Sequence, residues 1–329
     1  MAFPKLLITG SAGFIFSNFV RYVRKNQYKF PNEDIYKYSI VSIDKCTQPN
    51  VLNTIYANKG CPMHIGDVAD PHCVDIIFQI EKPDYVIHGA AESFVDHSID
   101  EAKSFVHSNV MGTQVITDAC VKHKVKKLVY VSADEVYGAL GPDDEPWDEN
   151  APLNPRNPYS STKAAGEFLV RAAGNTHGLN YNITRSCNNY GPRQPKRNLI
   201  PIIIANILHN REVPIFGQGM QIRDWIHVQD NCNAILNILK NGPEGETYNI
   251  SAKQEFTNIE VFQEICNILG RGHELVKYVK DRPGHDFRYS ITNDKIKALG
   301  WEPSFKFKGD GLVHTVKWYE KNNWFIKDK

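Results

Sequence analysis

Lys5-Leu6-Leu7-Ile8-Thr9-Gly10-Ser11-Ala12-Gly13-Phe14-Ile15 is the stretch whose reading decides the fold. Lys5 to Thr9 is a short apolar run, as expected of a strand buried on both faces. Two glycines follow, and an amphipathic pattern continues to about Lys25. Strand, glycine turn and helix form the context in which such glycines acquire meaning. Gly10 permits a tight turn, and Gly13 lets backbone approach a pyrophosphate at a helix N-terminus. An ordinary strand-to-helix turn is the plainer reading of the same residues.

Downstream the alternation continues. Ser39-Ile40-Val41-Ser42-Ile43 reads as a second strand that ends in Asp44. An acid there grips a ribose diol and repels a 2′-phosphate, which favours NAD over NADP. Its distance from Gly13 exceeds the usual ~20 residues because residues 27–37 insert a polar loop. A third strand ends at Ile65-Gly66-Asp67-Val68, where Asp67 either meets an adenine or caps the next helix. Asp84-Tyr85-Val86-Ile87-His88 is a fourth strand, and small Gly89, Ala90 and Ala91 after it let a cofactor lie against backbone. Residues 101–122 read as one long helix, 126–131 as a fifth strand, 159–177 as a helix and 179–184 as a strand. The pattern predicts an α/β fold: a Rossmann-like, doubly wound parallel sheet with a smaller C-terminal substrate-binding lobe. The sheet domain takes 1–185 plus about 225–250, and the lobe takes 186–224 and 251–329. Gly10, Gly13, Phe14, Ile15, Asp44, Asp67, Val68, Ala90 and Ala91 are the residues this reading places along the cofactor.

Composition narrows the partners. The 329 residues carry 38 basic and 37 acidic side chains, a net charge of +1. That balance argues against bulk nucleic-acid or membrane-surface binding, so any anion site is local. Seven cysteines, an odd number, include no CxxC pair and no Cys/His cluster at ligand spacing. They read as reduced thiols of a cytoplasmic protein, with no metal site. Met1-Ala2-Phe3-Pro4-Lys5 leads straight into the first strand, which reads as no signal peptide. The longest apolar run, 199–208, is too short to span a bilayer.

The chemistry concentrates in two stretches. Ser132-Ala133-Asp134-Glu135-Val136-Tyr137-Gly138 places an acidic pair at the end of the fifth strand. Tyr159 and Lys163, four residues apart, share one face of a helix. Together they supply two proton-transfer pairs, unless Asp134 and Glu135 are only a strand-end salt-bridge cluster. Residues 141–158, rich in Pro, Asp, Glu and Asn, read as a mobile loop between the two stretches. Three later stretches, 188–198, 217–225 and 281–289, set arginines beside Gly, Pro or aromatic residues. They are either solvated loops or segments that converge on an anion such as a diphosphate.

With these stretches assembled, the chain resembles the extended short-chain dehydrogenase/reductases, and among them the nucleotide-sugar 4,6-dehydratases acting on dTDP- or UDP-glucose. The resemblance covers nearly the whole chain. It rests on Asp134-Glu135-Val136-Tyr137-Gly138, Tyr159-x-x-x-Lys163, Asn188-Asn189-Tyr190-Gly191-Pro192, Arg223-Asp224-Trp225 and Asp281-Arg282-Pro283-Gly284-His285-Asp286. It implies that Tyr159, as phenolate, takes the sugar 4-hydroxyl proton while C4 gives hydride to NAD. Lys163 lowers the tyrosine pKa and holds the nicotinamide ribose. Glu135 removes the C5 proton, and Asp134, held neutral, protonates the departing C6 hydroxyl. Ser93, Asn188, Arg223 and Arg288 contact the sugar diphosphate. The helices at 101–122 and 159–177 pair across a homodimer as a four-helix bundle.

Three positions depart from the family pattern. Phe16 stands where a third glycine is usual. Ala133 replaces the usual triad threonine, and Ser132 beside it points to the opposite face of the strand. Arg197 and Asn198 replace the Glu and Lys of a sugar contact. A 4-epimerase or decarboxylase on a UDP-sugar shares Tyr159 and Lys163 but does not need both Asp134 and Glu135. A non-catalytic NAD-binding scaffold is the reading that Phe16 and Ala133 suggest.

Overall fold

The computed structural model describes residues 3–30, 32–47, 60–281 and 286–326. Its largest element is a seven-stranded sheet of β1 (Lys5–Thr9), β2 (Ser39–Asp44), β3 (Met63–Ile65), β4 (Tyr85–His88), β5 (Lys127–Ala133), β6 (Tyr181–Ser186) and β10 (Thr247–Ile250). The strand order is β10-β6-β5-β4-β1-β2-β3, and every pairing is parallel. This is the Rossmann-like, doubly wound sheet expected from the sequence. The order reverses between β1 and β4, which opens a crevice at the strands' C-terminal ends.

The apolar run of β1 has its physical reason here. Leu6 and Ile8 pack into one core and Leu7 into another, because successive side chains point to opposite faces. Phe16, Phe19, Val20 and Val23 of helix Phe14–Lys29, with Ile235 and Leu239 of helix Val228–Asn241, cover the first face. Helices Pro71–Glu81, Gly112–Lys122 and Pro158–His177 cover the second through Val74, Ile77, Ile116 and Val170.

A third core lies in the C-terminal part of the chain. Helices Leu199–Leu208, Asn258–Leu269 and Leu312–Lys321 build it, with Trp225 and Phe307. Its sheet centres on β9 (Ile222–His227), which pairs with β7 (Asn188–Tyr190), β11 (Glu255–Thr257) and β13 (Arg288–Tyr289). A separate pair joins β8 (Val213–Phe216) to β12 (Val276–Val279).

Several expectations change. Residues 101–122 do not form one helix. Helical structure starts earlier, at Val95–Asp100, resumes at Ala102–Phe105, and widens into a π-helix over Val106–Met111 before Gly112–Lys122. The wide turns bring Asn109 to the backbone of Glu92, where its Oδ1 accepts from the Glu92 amide at 2.8 Å and its Nδ2 donates to the Glu92 carbonyl at 2.9 Å. Residues 222–225, read as loop, lie on β9. The polar stretches at 188–198 and 281–289 also contribute strands, because their partners are distant in sequence. Residues 282–285 of the last stretch lie outside the described residues. The loop at 141–158 is pinned rather than loose: Leu140 bridges Arg288, Trp147 bridges Ile291, and the Glu149 carboxylate accepts from the Asn249 amide at 2.9 Å.

Candidate active site

The crevice at the sheet's reversal is one continuous cleft. Gly10, Gly13, Phe14, Ile15, Asp44, Asp67, Val68, Ala90, Ala91, Ser93, Tyr159 and Lys163 line it together. Asp134, Glu135, Asn188, Arg223 and Arg288 are not among its lining residues. They lie beyond it, toward the C-terminal sheet.

The glycine turn is shaped by contact. Gly10 has φ +78°, and a Cβ there would meet Ala90 Cα and N at 2.8 Å. Phe16, in place of a third glycine, is accommodated by a different one: a Cβ on Gly89 would lie 1.8 Å from its ring. Asp44 at the end of β2 accepts from the Ala12 and Cys46 amides at 2.9 and 2.7 Å, and burial raises its pKa despite these donors. Asp67 is not a helix cap. Asp70 caps helix Pro71–Glu81, accepting from the His72 and Cys73 amides, while Asp67 faces the cleft and pairs with His107 at 3.1 Å. Lys45, unremarked in the sequence, lines the cleft and pairs with Glu92 at 3.1 Å. A glycine-walled cleft, a helix N-terminus at Gly13 and an acid at the second strand end fit an NAD-type dinucleotide.

Buried hydrogen bonds tie the cleft walls together. The Gly89 and Ala90 amides donate to Thr9 Oγ1 at 3.1 and 3.0 Å. Thr9 Oγ1 lies 2.7 Å from His88 Nδ1, and His88 Nε2 lies 3.1 Å from Thr113 Oγ1. Thr113 gives its one hydroxyl proton to the Asn109 carbonyl at 2.6 Å. His88 therefore carries its proton on Nε2, and Nδ1 accepts from Thr9. Asn109 donates on to Thr162 Oγ1 at 2.9 Å, and Thr162 donates to the Tyr159 carbonyl at 2.8 Å. The chain of bonds thus runs from the glycine turn to the helix that carries Tyr159. Burial and the Lys163 charge lower the His88 pKa to about 3. The unfolded imidazole takes up a proton below about pH 6.5, which the folded one refuses. Stability from this source is complete above pH 6.5 and falls as pH drops toward 3. The stability difference between wild type and His88→Gln is expected to shrink by about 2 kcal/mol between pH 7 and pH 5. Urea titrations at the two pH values measure it.

Helix Pro158–His177 begins on a reciprocal cap. Asn157 Oδ1 accepts from the Ser160 amide at 2.8 Å, and Ser160 Oγ accepts from the Asn157 amide at 3.3 Å. Pro158 occupies the first turn, where its missing N–H costs nothing. The cap residue also reaches the acidic pair, donating from Nδ2 to Glu135 Oε2 at 3.3 Å. Deeper in the helix, buried Glu167 accepts from Arg185 Nε and Nη2 at 3.0 and 2.6 Å, which fixes the helix to β6. Lys163 Nζ donates to the Val131 carbonyl at 2.5 Å and sits 4.5 Å from the Tyr130 ring. Burial lowers its pKa to about 7, against an upward pull from Glu167. Burial raises the Tyr159 pKa, and Glu135, Tyr130 and Asp134 add to the rise. The lowering of Tyr159 by Lys163 expected from the sequence is not among these causes, because the ammonium is turned to β5.

Asp134 opens the 3₁₀ turn Asp134–Tyr137 that follows β5. Burial holds its pKa well above the ordinary range, Glu135 and Asp224 raise it further, and Arg223 opposes them. Its Oδ2 is buried without a hydrogen-bond partner, which suits a neutral acid better than an anion. Asp224 is wholly buried, bonded to Ser251 Oγ and to the Gln254 amide at 2.9 Å. Arg223 stacks 4.3 Å from the Tyr289 ring and donates to the Asp286 carbonyl at 2.9 Å. Asn188 is half-buried at the start of β7. Arg288 is turned elsewhere: it donates to Glu255 Oε2 and Oε1 at 2.5 and 2.9 Å and to the Asp144 carbonyl at 2.6 Å. Ser132 lines the cleft with Tyr159 and Lys163, whereas Ala133 does not. Asn157, Asn109 and Asp224 drew no functional reading from sequence. Asn157 left a local signal, as an Asn-Pro pair before a helix, and Asp224 stands within the Arg223-Asp224-Trp225 motif.

Among the described residues no group of three or more His, Cys, Asp and Glu side chains is arranged to hold a metal. None of their helices is long and apolar enough to cross a membrane.

The chain is similar to known proteins over nearly its whole length. A family model described as GDP-mannose 4,6 dehydratase matches residues 7–310. The dTDP-glucose 4,6-dehydratase of Streptomyces niveus is 42% identical over 322 residues, 97% of this chain and 93% of that protein. The crystal structure of DesIV, the dTDP-glucose 4,6-dehydratase of Streptomyces venezuelae with NAD and TYD bound, is 37% identical. It superposes with a TM-score of 0.89, covering 98% of this chain and 100% of that one. The UDP-glucose 4-epimerase of Thermotoga maritima with UDP-glucose has the same TM-score of 0.89 at 28% identity, over 97% and 99% of the two chains. The chain therefore belongs to the GDP-mannose 4,6-dehydratase family, the nucleotide-sugar dehydratases of the extended short-chain dehydrogenase/reductases.

Proposed function

We propose that this protein is an NAD-dependent dTDP-glucose 4,6-dehydratase, which converts the nucleotide sugar to its 4-keto-6-deoxy form with loss of water. What carries the reading is the company of Tyr159, which lines the cleft with Lys163 and feels the Glu135 and Asp134 charges. NAD held along Gly10, Gly13 and Asp44 would supply a reversible hydride acceptor for the sugar. Tyr159 accepts the 4-hydroxyl proton. Glu135, fixed by the Asn157 amide, removes the C5 proton, which is acidic beside a C4 ketone. Asp134, kept protonated by its buried acidic surroundings, gives its proton to the departing C6 hydroxyl. Ser93, Asn188 and Arg223 hold the sugar diphosphate. The seven-stranded sheet carries the cofactor, and the C-terminal core carries the nucleotide sugar.

Incubation with dTDP-glucose and, separately, UDP-glucose tests this, with products read by mass spectrometry. Loss of one water with no external NAD consumed supports the dehydratase and ranks the two bases. An unchanged mass with inverted C4 favours the second reading, a UDP-sugar 4-epimerase, which the Thermotoga likeness supports.

The same reading makes the protein a cytoplasmic homodimer. Val106, Met111 and Phe168 are 48%, 52% and 60% exposed on neighbouring helices, apolar surface that a second copy covers in a four-helix bundle. Met111→Glu with Phe168→Glu is expected to convert dimer to monomer in sedimentation velocity. A dimer that survives both charges lies on another face.

A further inference from the structure

The two proton-transfer pairs stand on different elements. Tyr159 and Lys163 belong to helix Pro158–His177, whereas Asp134 and Glu135 belong to the 3₁₀ turn Asp134–Tyr137. That turn is four residues long and ends at Gly138, whose φ of +91° swings the chain away. A single 3₁₀ turn has poor hydrogen-bond geometry of its own, so its surroundings set where its carboxyls lie. Its last residue, Tyr137, is buried. The phenol accepts from Arg185 Nη1 at 2.6 Å and donates to Asn249 Oδ1 at 2.8 Å, and the ring stacks on Trp147 with centroids 6.2 Å apart. Asn249, on β10, gives its other groups to the long loop. Its amide donates to the Glu149 carboxylate, and its Nδ2 donates to the Trp147 carbonyl at 3.1 Å.

The remaining donors of Arg185 give this anchor its reach. Nε and Nη2 both go to Glu167. Glu167 lies four residues beyond Lys163 and eight beyond Tyr159, so all three share one face of the helix. A guanidinium offers its donors in a rigid planar fork. With one side on Glu167 and the other on the Tyr137 hydroxyl, that fork sets the spacing between the helix face and the turn. Arg185 and Glu167 are buried, where water does not compete for these bonds. The bond from Asn157 to Glu135 ties the same two elements at their outer ends. We propose that Arg185 and the Tyr137 hydroxyl are positioning residues, which hold Asp134 and Glu135 at working distance from Tyr159 and Lys163. The inference rests on the dehydratase reading above. Neither residue lines the cleft. Their effect falls on elimination, which needs both pairs around one sugar ring, rather than on C4 oxidation, which needs only Tyr159 and Lys163.

The test uses the full-length protein loaded with NAD and saturated with dTDP-glucose. Single turnovers follow NADH by absorbance and product by mass spectrometry. Tyr137→Phe keeps the ring and its stack on Trp147 and removes only the hydroxyl. It is expected to slow product formation roughly tenfold to a hundredfold, with NADH appearing within about twofold of the wild-type rate. Reduced cofactor therefore accumulates in the variant. Arg185→Lys keeps a charge for Glu167, gives up the fork, and is expected to show the same accumulation. Should that variant fold poorly, Tyr137→Phe carries the test. A purely structural role slows NADH appearance and product formation by the same factor. That outcome, or wild-type rates in Tyr137→Phe, overturns the positioning role and leaves the dehydratase standing. A wild type that dehydrates neither dTDP-glucose nor UDP-glucose overturns the dehydratase reading, and this inference with it.

Discussion

Tyr159→Phe is expected to lower turnover of the nucleotide sugar by roughly 10²–10⁴-fold while leaving NAD bound. The substitution removes only the hydroxyl. The ring keeps its edge-on contact with Phe105, 6.4 Å between centroids, and the helix keeps its Asn157 cap and its Glu167–Arg185 anchor. The rest of the cleft wall, from the glycine turn to Asp44, Asp67 and Lys163, is untouched, so cofactor affinity has little reason to change. Turnover and NAD affinity therefore separate. Stopped-time product assays give the first, and fluorescence titration with NAD gives the second. The pH dependence has a defined sign. Tyr159 works deprotonated, and its pKa is raised by burial, Glu135, Tyr130 and Asp134. Turnover is therefore expected to rise with pH along the phenol limb, and Tyr159→Phe to lose that limb. A variant with wild-type turnover would remove Tyr159 from the chemistry.

Asp134→Asn and Glu135→Gln are each expected to lower product formation by roughly 10²–10⁴-fold, yet they fail at different steps. Asp134 sits in a buried turn, and burial, Glu135 and Asp224 raise its pKa, which suits it to the proposed role of proton donor. Asparagine occupies the same volume and cannot donate that proton to a leaving hydroxyl. The C5 proton is still removed by Glu135, so substrate recovered from heavy water is expected to carry deuterium at C5. Glu135→Gln removes the base itself, and the same substrate is expected to carry none. Exchange in both variants, or in neither, would overturn the division of labour between the two carboxyls. Asp224→Asn extends the argument. It removes a neighbouring buried charge, so the acid limb assigned to Asp134 is expected to move to lower pH.

How far the sequence reached depended on how local each signal was. The apolar run at Leu6–Ile8, the glycine turn and the acid at Asp44 lie within single strand-to-helix units. Alternation, conformational freedom and strand-end chemistry are written residue by residue there. The Tyr159–Lys163 face was legible because helical periodicity fixes which residues share a side. The Asn157 cap with Pro158 was not read, although an Asn-Pro pair before a helix is a local signal. Strand breaks within polar stretches were not legible. Ile222–His227 is a strand because Asn188–Tyr190, Glu255–Thr257 and Arg288–Tyr289 arrive beside it from distant parts of the chain. No local periodicity announces such a meeting.

The sequence by itself determined the parallel α/β sheet, and it named the cofactor-wall and acid–base side chains proposed above. Hydrophobic period and turn chemistry are properties of neighbouring residues. Only the tertiary structure decided the state of those side chains. Burial raises the Asp134 pKa, with neighbouring Glu135 and then Asp224, ninety residues away in the chain, adding to the rise. Arg288 is spent on Glu255 and Asp144 rather than turned to the cleft, and His88 is a hydrogen-bonded strut rather than an isolated histidine. Phe16 is tolerated because Gly89 makes room for its ring. Protonation, pairing and fit depend on which distant groups share a low-dielectric space, and that is set when the chain folds.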